Sequence, residues 1–402
     1  MALRDELINF YIIEFCKFNF LSLEDKMGDI VRTPSSSSNY TAKLWSSKLY
    51  MDTIMGIPLI ADAIADGSLV RKDDLVRSAG DRVRMTFSKR LTGTGIIGDA
   101  PKRPNTKQVE YAFDDVVLDK LSSDPVDAKV EGTISQQRTA FDLQETLYPS
   151  VSDWFAQRMI AGLFNQLGGN TATSISFDGT TYTGSSLPAV TGLNAASAPT
   201  TFRSFFATGS SDADVAADST ATLTLQAIDE LETEAMTQRA GVNNFKMIVG
   251  KEYKFKFYVP MTGFKQLKQQ AQSNGNITFP QIVLQKEAGG TDAAAQIGDS
   301  FQYSFTKVIA VPDHYIPAGV TAGAAQANTK RAIFVGAEAA CLVFGKGYSE
   351  ATGEAVPGFK VLSDDDDIEE TVITVATGIF GIKKAVVDTY DQSVMTFSHY
   401  VA

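Results

Sequence analysis

Through Arg82-Val83-Arg84-Met85-Thr86-Phe87-Ser88 apolar and polar residues alternate with period two, the pattern of a strand with one buried face. Val109, Tyr111 and Phe113 repeat the alternation beyond a glycine-, proline- and lysine-rich stretch from Gly93 to Lys107. Two such strands around a polar tip predict a long antiparallel hairpin. Its tip is far longer than a tight turn, and connections of that length commonly carry function.

From Ser135 the period becomes helical. Leu143, Leu147, Val151 and Trp154 form one stripe, and Phe155, Met159, Leu163 and Leu167 form the next. Trp154 is expected in the core of this helix, and Pro149 is expected to kink it or mark its true start. Gly168-Gly169-Asn170 is a strong stop. A second helix carries Leu225, Ile228, Leu231 and Ala235 inward, and a third surrounds Phe264 to Ala271. Strands are expected at Phe245–Val249, Val308–Val311, Ala332–Val335, Thr371–Ala376 and Val394–Tyr400. Between Gly168 and Ser219, a region rich in Ser, Thr, Ala and Gly predicts loops with short strands. Thr33-Pro34-Ser35-Ser36-Ser37-Ser38-Asn39 has nothing to bury and reads as a joint after an N-terminal arm. Ala42–Ile60 reads as a short helix and an irregular connection, with Pro58 breaking any longer helix. No repeat of solenoid period is present, and the class is α+β.

Composition narrows the function. The chain has 402 residues, 44% apolar and 21% charged, which suits a sizeable core. Acids outnumber bases by eleven, against a primary role in gripping nucleic acid. Two cysteines and two histidines (His314 and His399) leave no material for a disulfide framework or a Cys/His zinc site. The most apolar N-terminal stretch, Leu7 to Leu23, is interrupted by Glu14 and Lys17, so no membrane span is expected. Asp5 and Glu6 stand where a signal peptide carries basic residues.

The candidate chemical motifs each lack a requirement. Gly93-Thr94-Gly95-Ile96-Ile97-Gly98 has the spacing of a dinucleotide fingerprint, but Pro101 and Pro104 deny the helix whose N-terminus would hold the pyrophosphate. Asp313-His314 has no nucleophile elbow to serve. Asp364 to Asp367, with Glu369 and Glu370, departs from EF-hand spacing and reads as a solvated acidic loop. Gly345-Lys346-Gly347 lacks the rest of a phosphate loop. No catalytic, cofactor-binding or metal site is therefore assigned. The glycines of the tip, Gly93, Gly95 and Gly98, permit bending, and Lys102, Arg103 and Lys107 can meet an acidic neighbour. These six are the candidate intersubunit contact residues.

Several stretches resemble tailed-bacteriophage major capsid proteins of the Hong Kong 97 (HK97-like) fold, from about Lys43 to Val401. They are Leu44 to Leu49, Ala79 to Val83, Leu91 to Asp99, Gln136-Gln137-Arg138, Arg331 to Ala340 and Gly378 to Lys384, and their order and spacing carry the likeness. The resemblance implies an N-terminal arm (1–40), a connection into the peripheral domain (41–77) and an extended loop with flanking strands (78–132). It implies a spine helix with the peripheral domain (133–219), an axial domain (220–345) and return strands of the peripheral domain (346–402). It further implies a virion shell assembled in the host cytoplasm from hexamers and pentamers, with portal and scaffolding partners, around loosely enclosed double-stranded DNA. The first 40 residues are more apolar than such an arm, and no motif supports the lysine–asparagine cross-link of some members. The alternatives are an encapsulin-like compartment of the same fold, or a ligand-binding module or enzyme.

Overall fold

The structure is a computed structural model and describes residues 58–76, 79–88, 95–96, 108–129, 133–134, 147–171, 174–176, 181–183, 194–237, 250, 254–273, 300–316, 328–348, 355–366, 370–387 and 389–401. The arm and joint, Phe245–Val249, and the start of the long helical stripe lie outside these residues.

The chain enters at helix α1 (Pro58–Asp66), then strand β1 (Leu69–Lys72). Pro58 opens this helix instead of breaking one, because a first-turn residue needs no N–H partner. The hairpin follows as β2 (Arg82–Ser88) and β3 (Tyr111–Val117), then β4 (Asp119–Ser122) and β5 (Val126–Lys129). Helix α2 (Leu147–Gly168) comes next, with Pro149 in its first turn. After β6 (Ser204–Phe206) come α3 (Asp212–Ala217), α4 (Leu225–Met236), β7 (Phe255–Pro260) and α5 (Met261–Ser273). The strands that complete the two large sheets are β8 (Ser300–Tyr303), β9 (Thr306–Val311), β10 (Thr329–Val335), β11 (Ala340–Phe344), β12 (Phe359–Asp366), β13 (Thr371–Lys384) and β14 (Val394–Tyr400).

Two six-stranded sheets organise the body. The first runs β1-β11-β13-β12, with β4 and β5 also paired to the long β13. The second runs β8-β9-β7-β10-β14-β6, and its four inner strands are buried on both faces. Period-two alternation sends Tyr258, Ile309, Val311, Ile333 and Val335 into the core around α2. Phe257, Val259, Val308, Ala310, Phe334 and Phe397 enter a second core under α4 and α5.

Sheet membership changes hands between β10 and β11, across Gly336–Ala339, where Glu338 takes φ 55°. The last strand, β14, pairs with β10, so it rejoins the second sheet while β12 and β13 stay in the first. By pairing, the chain passes between the two sheets at 336–339 and again after β13.

Helix α2 seats on both sheets. Val151, Phe155, Met159, Leu163, Phe164 and Leu167 are buried, and Phe155 is 0% exposed. Trp154, expected in the core, is only partly buried: it packs edge-on to Phe155 at 4.9 Å and lies under the Arg158 guanidinium. One residue around the helix turns its ring from the core to its margin. The predicted stop is a Schellman turn, in which Gly169 (φ 62°) donates to Gln166 O and Asn170 to Asn165 O.

Buried charges tie the elements where apolar contacts alone would leave the alignment loose. Arg331 on β10 donates to Gly168 O at the negative end of α2 and pairs with Asp212 at 2.5 Å; Ser398 also donates to Asp212. Lys256 on β7, fully buried, meets Asp62 of α1 at 2.8 Å. Lys384 at the end of β13 meets Asp391 at 2.7 Å, both nearly inaccessible, and burial lowers the lysine pKa.

Truncating the central ring separates these assignments. Phe155→Ala should lower subunit stability by about 3–5 kcal/mol, whereas Trp154→Ala should cost about 1–2 kcal/mol. Urea unfolding of the two variants checks this, and equal losses would mean that the helix is rotated.

Candidate functional site

The hairpin stem pairs in exact register, with Val83 opposite Val116, Met85 opposite Asp114 and Phe87 opposite Ala112. Directly paired residues share a face. That face carries Val83, Met85, Phe87, Ala112 and Val116 onto Leu75, Cys341, Val343, Ala385 and Val387, a third core between the stem and the first sheet. The other face presents Arg84 opposite Asp115 and Thr86 opposite Phe113, with Tyr111 further along the same side.

This register corrects one expectation. Val109, Tyr111 and Phe113 do alternate, but they point away from the core: Tyr111 is 56% and Phe113 54% exposed. Pairing decides the matter, because β2 already commits its Val-Met-Phe side inward and places the aromatics of β3 with arginine and threonine. The period is visible in β3 alone; which side is buried is not.

Polar ties fix the base of the stem. Lys383 pairs with Asp114 and donates to Asp115 O at 3.0 Å, while the amide of Val386 donates to Asp114 at 3.0 Å. Asn194 accepts from Val117 N and donates back to Val117 O, acting as a short extra strand. Lys72 reaches the carbonyl of Arg84 at 3.2 Å. These contacts let Asp114 turn inward among apolar residues with its charge satisfied.

On the outward face the Arg84 guanidinium grips Asp115 with two bonds, Nε–Oδ1 at 2.8 Å and Nη2–Oδ2 at 3.1 Å. It also lies 5.3 Å from the centre of the Phe113 ring. The hydrogen bond from Arg84 holds the Asp115 carboxyl below its usual range, and the bond to Asp115 raises Arg84. Both groups are open to solvent, so the pair orients the arginine and adds little stability. The result is an apolar stripe with a preset cationic edge, on a surface that no other described residue buries.

Of the six tip residues, Gly95 is described: it takes φ 71° and has nothing within 4 Å of the place a Cβ would fill. Gly93, Gly98, Lys102, Arg103 and Lys107 lie outside the described residues, as does the full reach of the hairpin. The other motifs part from one another. Asp313 accepts from Thr262 and pairs with Lys330, and exposed His314 lies at a tilt against Tyr315. Asp364 to Asp366 end strand β12, so this part of the acidic run is strand where a loop was expected. Among the described residues, no cluster of His, Cys, Asp or Glu is placed to hold a metal ion, and no helix is long and apolar enough to cross a membrane.

A family model described as phage capsid protein matches residues 32–260, more than half of the chain. Among solved structures, the capsid of Ralstonia phage GP4 superposes with a TM-score of 0.67 at 20% identity, covering 84% of this chain and 89% of that one. The capsid of cyanophage Pam1 gives 0.58 at 17% identity, covering 84% and 90%. The head of Helicobacter pylori bacteriophage KHP40 gives 0.54 at 11% identity, covering 85% and 89%. No curated protein matches the chain.

The two faces of the stem predict opposite sensitivities. Val116→Asp, which buries an unpaired charge, should lower stability by more than about 3 kcal/mol, while Thr86→Asp should stay within about 0.5 kcal/mol of the parent. Chemical denaturation of both variants measures this; a tolerated Val116→Asp would refute the inward register.

Proposed function

This chain belongs to the phage capsid protein family and is a major capsid protein of the virion shell with the Hong Kong 97 fold, and from that premise we propose that its hairpin clamps one subunit onto the next. The observation that carries the reading is the outward face of the stem. An isolated two-stranded hairpin is marginal in water, and among the described residues this one is supported from one side alone. Its other side exposes Tyr111 and Phe113 beside Arg84, an apolar stripe with a charged rim, which suits contact with another protein surface.

A second copy of the same chain is the occupant that suits this face. The chain is acidic overall, with a net charge of −11, so the Arg82 and Arg84 edge finds complementary surface on any neighbour of its own kind. Tip residues Gly93, Gly95, Gly98, Lys102, Arg103 and Lys107 extend the same contact in this reading. Hexamers and pentamers so clamped close into an icosahedral shell in the host cytoplasm, with portal and scaffolding proteins as partners. Double-stranded DNA is confined by the wall and not gripped by it, which an acidic chain permits. The role is structural and not enzymatic, and the division into arm, peripheral domain, extended loop and axial domain follows the family plan.

Shortening the loop across Thr94–Asn105 tests the clamp. The variant should keep the parent's circular dichroism and melting while closed shells vanish from electron micrographs. Normal shells from the shortened protein would refute it. In parent shells, nuclease-protected double-stranded DNA is the expected content, and a protein cargo in its place would favour the encapsulin-like alternative.

A further inference from the structure

His399, on β14, is fully buried at the edge of the second core, and neither ring nitrogen has a hydrogen-bond partner of normal geometry among the described residues. The ring fills the slot under the first turn of α5: a Cβ at Gly263 would stand 2.6 Å from Nε2 and 3.2 Å from Cε1. The N-terminal turn of a helix carries partial positive charge, so a cation is unwelcome there. The charged groups that act on the ring are Lys330, its cross-strand partner on β10, and Asp313 in the short turn after β9. Asp313 is already engaged. It accepts from the backbone N–H and hydroxyl of Thr262 at the start of α5 and pairs with Lys330 at 3.4 Å.

We propose that His399 is an acid-sensitive latch: the neutral ring holds the first turn of α5 against β14, and the imidazolium leaves the slot and draws Asp313 away from Thr262. Burial is the main cause that pushes the His399 pKa down to about 4, with Lys330 acting the same way, while the Phe397 backbone and Asp313 oppose the shift without cancelling it. A histidine whose folded pKa lies below the ordinary 6.5 leaves the closed state intact above that value and weakens it as pH falls toward about 4. Carboxylates held below their usual range, such as Asp214 and Asp218, contribute their loss only at lower pH, and the comparison with His399→Gln separates the histidine from the other groups.

Hydrogen–deuterium exchange of the full chain, corrected for intrinsic rates, reads the opening of Met261–Ser273 directly. Between pH 7.5 and pH 5 the opening equilibrium of the parent should rise roughly ten- to thirty-fold, and that of His399→Gln should change less than about twofold. A parent that does not respond, or an equal response in His399→Gln, would overturn the latch. If His399→Gln does not fold, Lys330→Met decides. Removing that cation lets the ring protonate in place, so the rise in opening between pH 7.5 and pH 5 should shrink, and an undiminished rise overturns the proposal.

Discussion

Helix α2 lays Phe155 edge-on to Phe359 of the first sheet at 5.2 Å and Phe164 edge-on to Tyr258 of the second at 5.4 Å, so one helix closes a core that both sheets share. Neither sheet could bury that face without it. The approach on the first side depends on Gly378 of β13, where a Cβ would stand 2.9 Å from Phe359 and 3.1 Å from Phe155. Arg331 then fixes the far end of the helix by holding Gly168 O and Asp212 together. Position along the helix and rotation around it are thus set by different contacts, one apolar and one charged.

With the body closed in this way, the hairpin is free to serve another molecule. Its inner face is committed to the first sheet through Val83, Met85, Phe87 and Val116, and its base is pinned through Asp114 and Asn194. The outward stripe of Tyr111 and Phe113 stands apart from the cores formed by the described residues. Large aromatic rings left in water on a rigid stem are a cost to a solitary subunit, and the proposed clamp removes that cost by setting them against a neighbour.

Where a periodic run meets a single core, the sequence was legible. Strands β2 and β14 have the predicted bounds, and the inward stripe of α4 holds residue for residue. What escaped depended on partners far along the chain. Strand β13 continues to Lys384, beyond the expected Ala376, because Gly378 and Gly381 are not breaks: the rings of Phe155 and Phe359, and the carbonyl of Val117, leave no room for side chains there. Those glycines lie in the stretch that carried the family resemblance, which now has a steric reason. Buried Lys256, Arg331 and Lys384 look like surface residues in sequence, since Asp62, Asp212 and Asp391 are more than a strand's length away or on other elements. The outward turn of Tyr111 and Phe113 is the same lesson for the interface, because β2, and not β3 itself, decides which side of β3 is buried.

The central claim is that folding and assembly use opposite faces of one stem. Sedimentation velocity on the double variant Tyr111→Ser, Phe113→Ser, with its unfolding curve recorded in parallel, tests that division most directly. The expected subunit keeps the parent's stability, within about 0.5 kcal/mol, sediments as small species and forms no shells. Shells at the parent's yield, or a subunit that no longer folds, would contradict it.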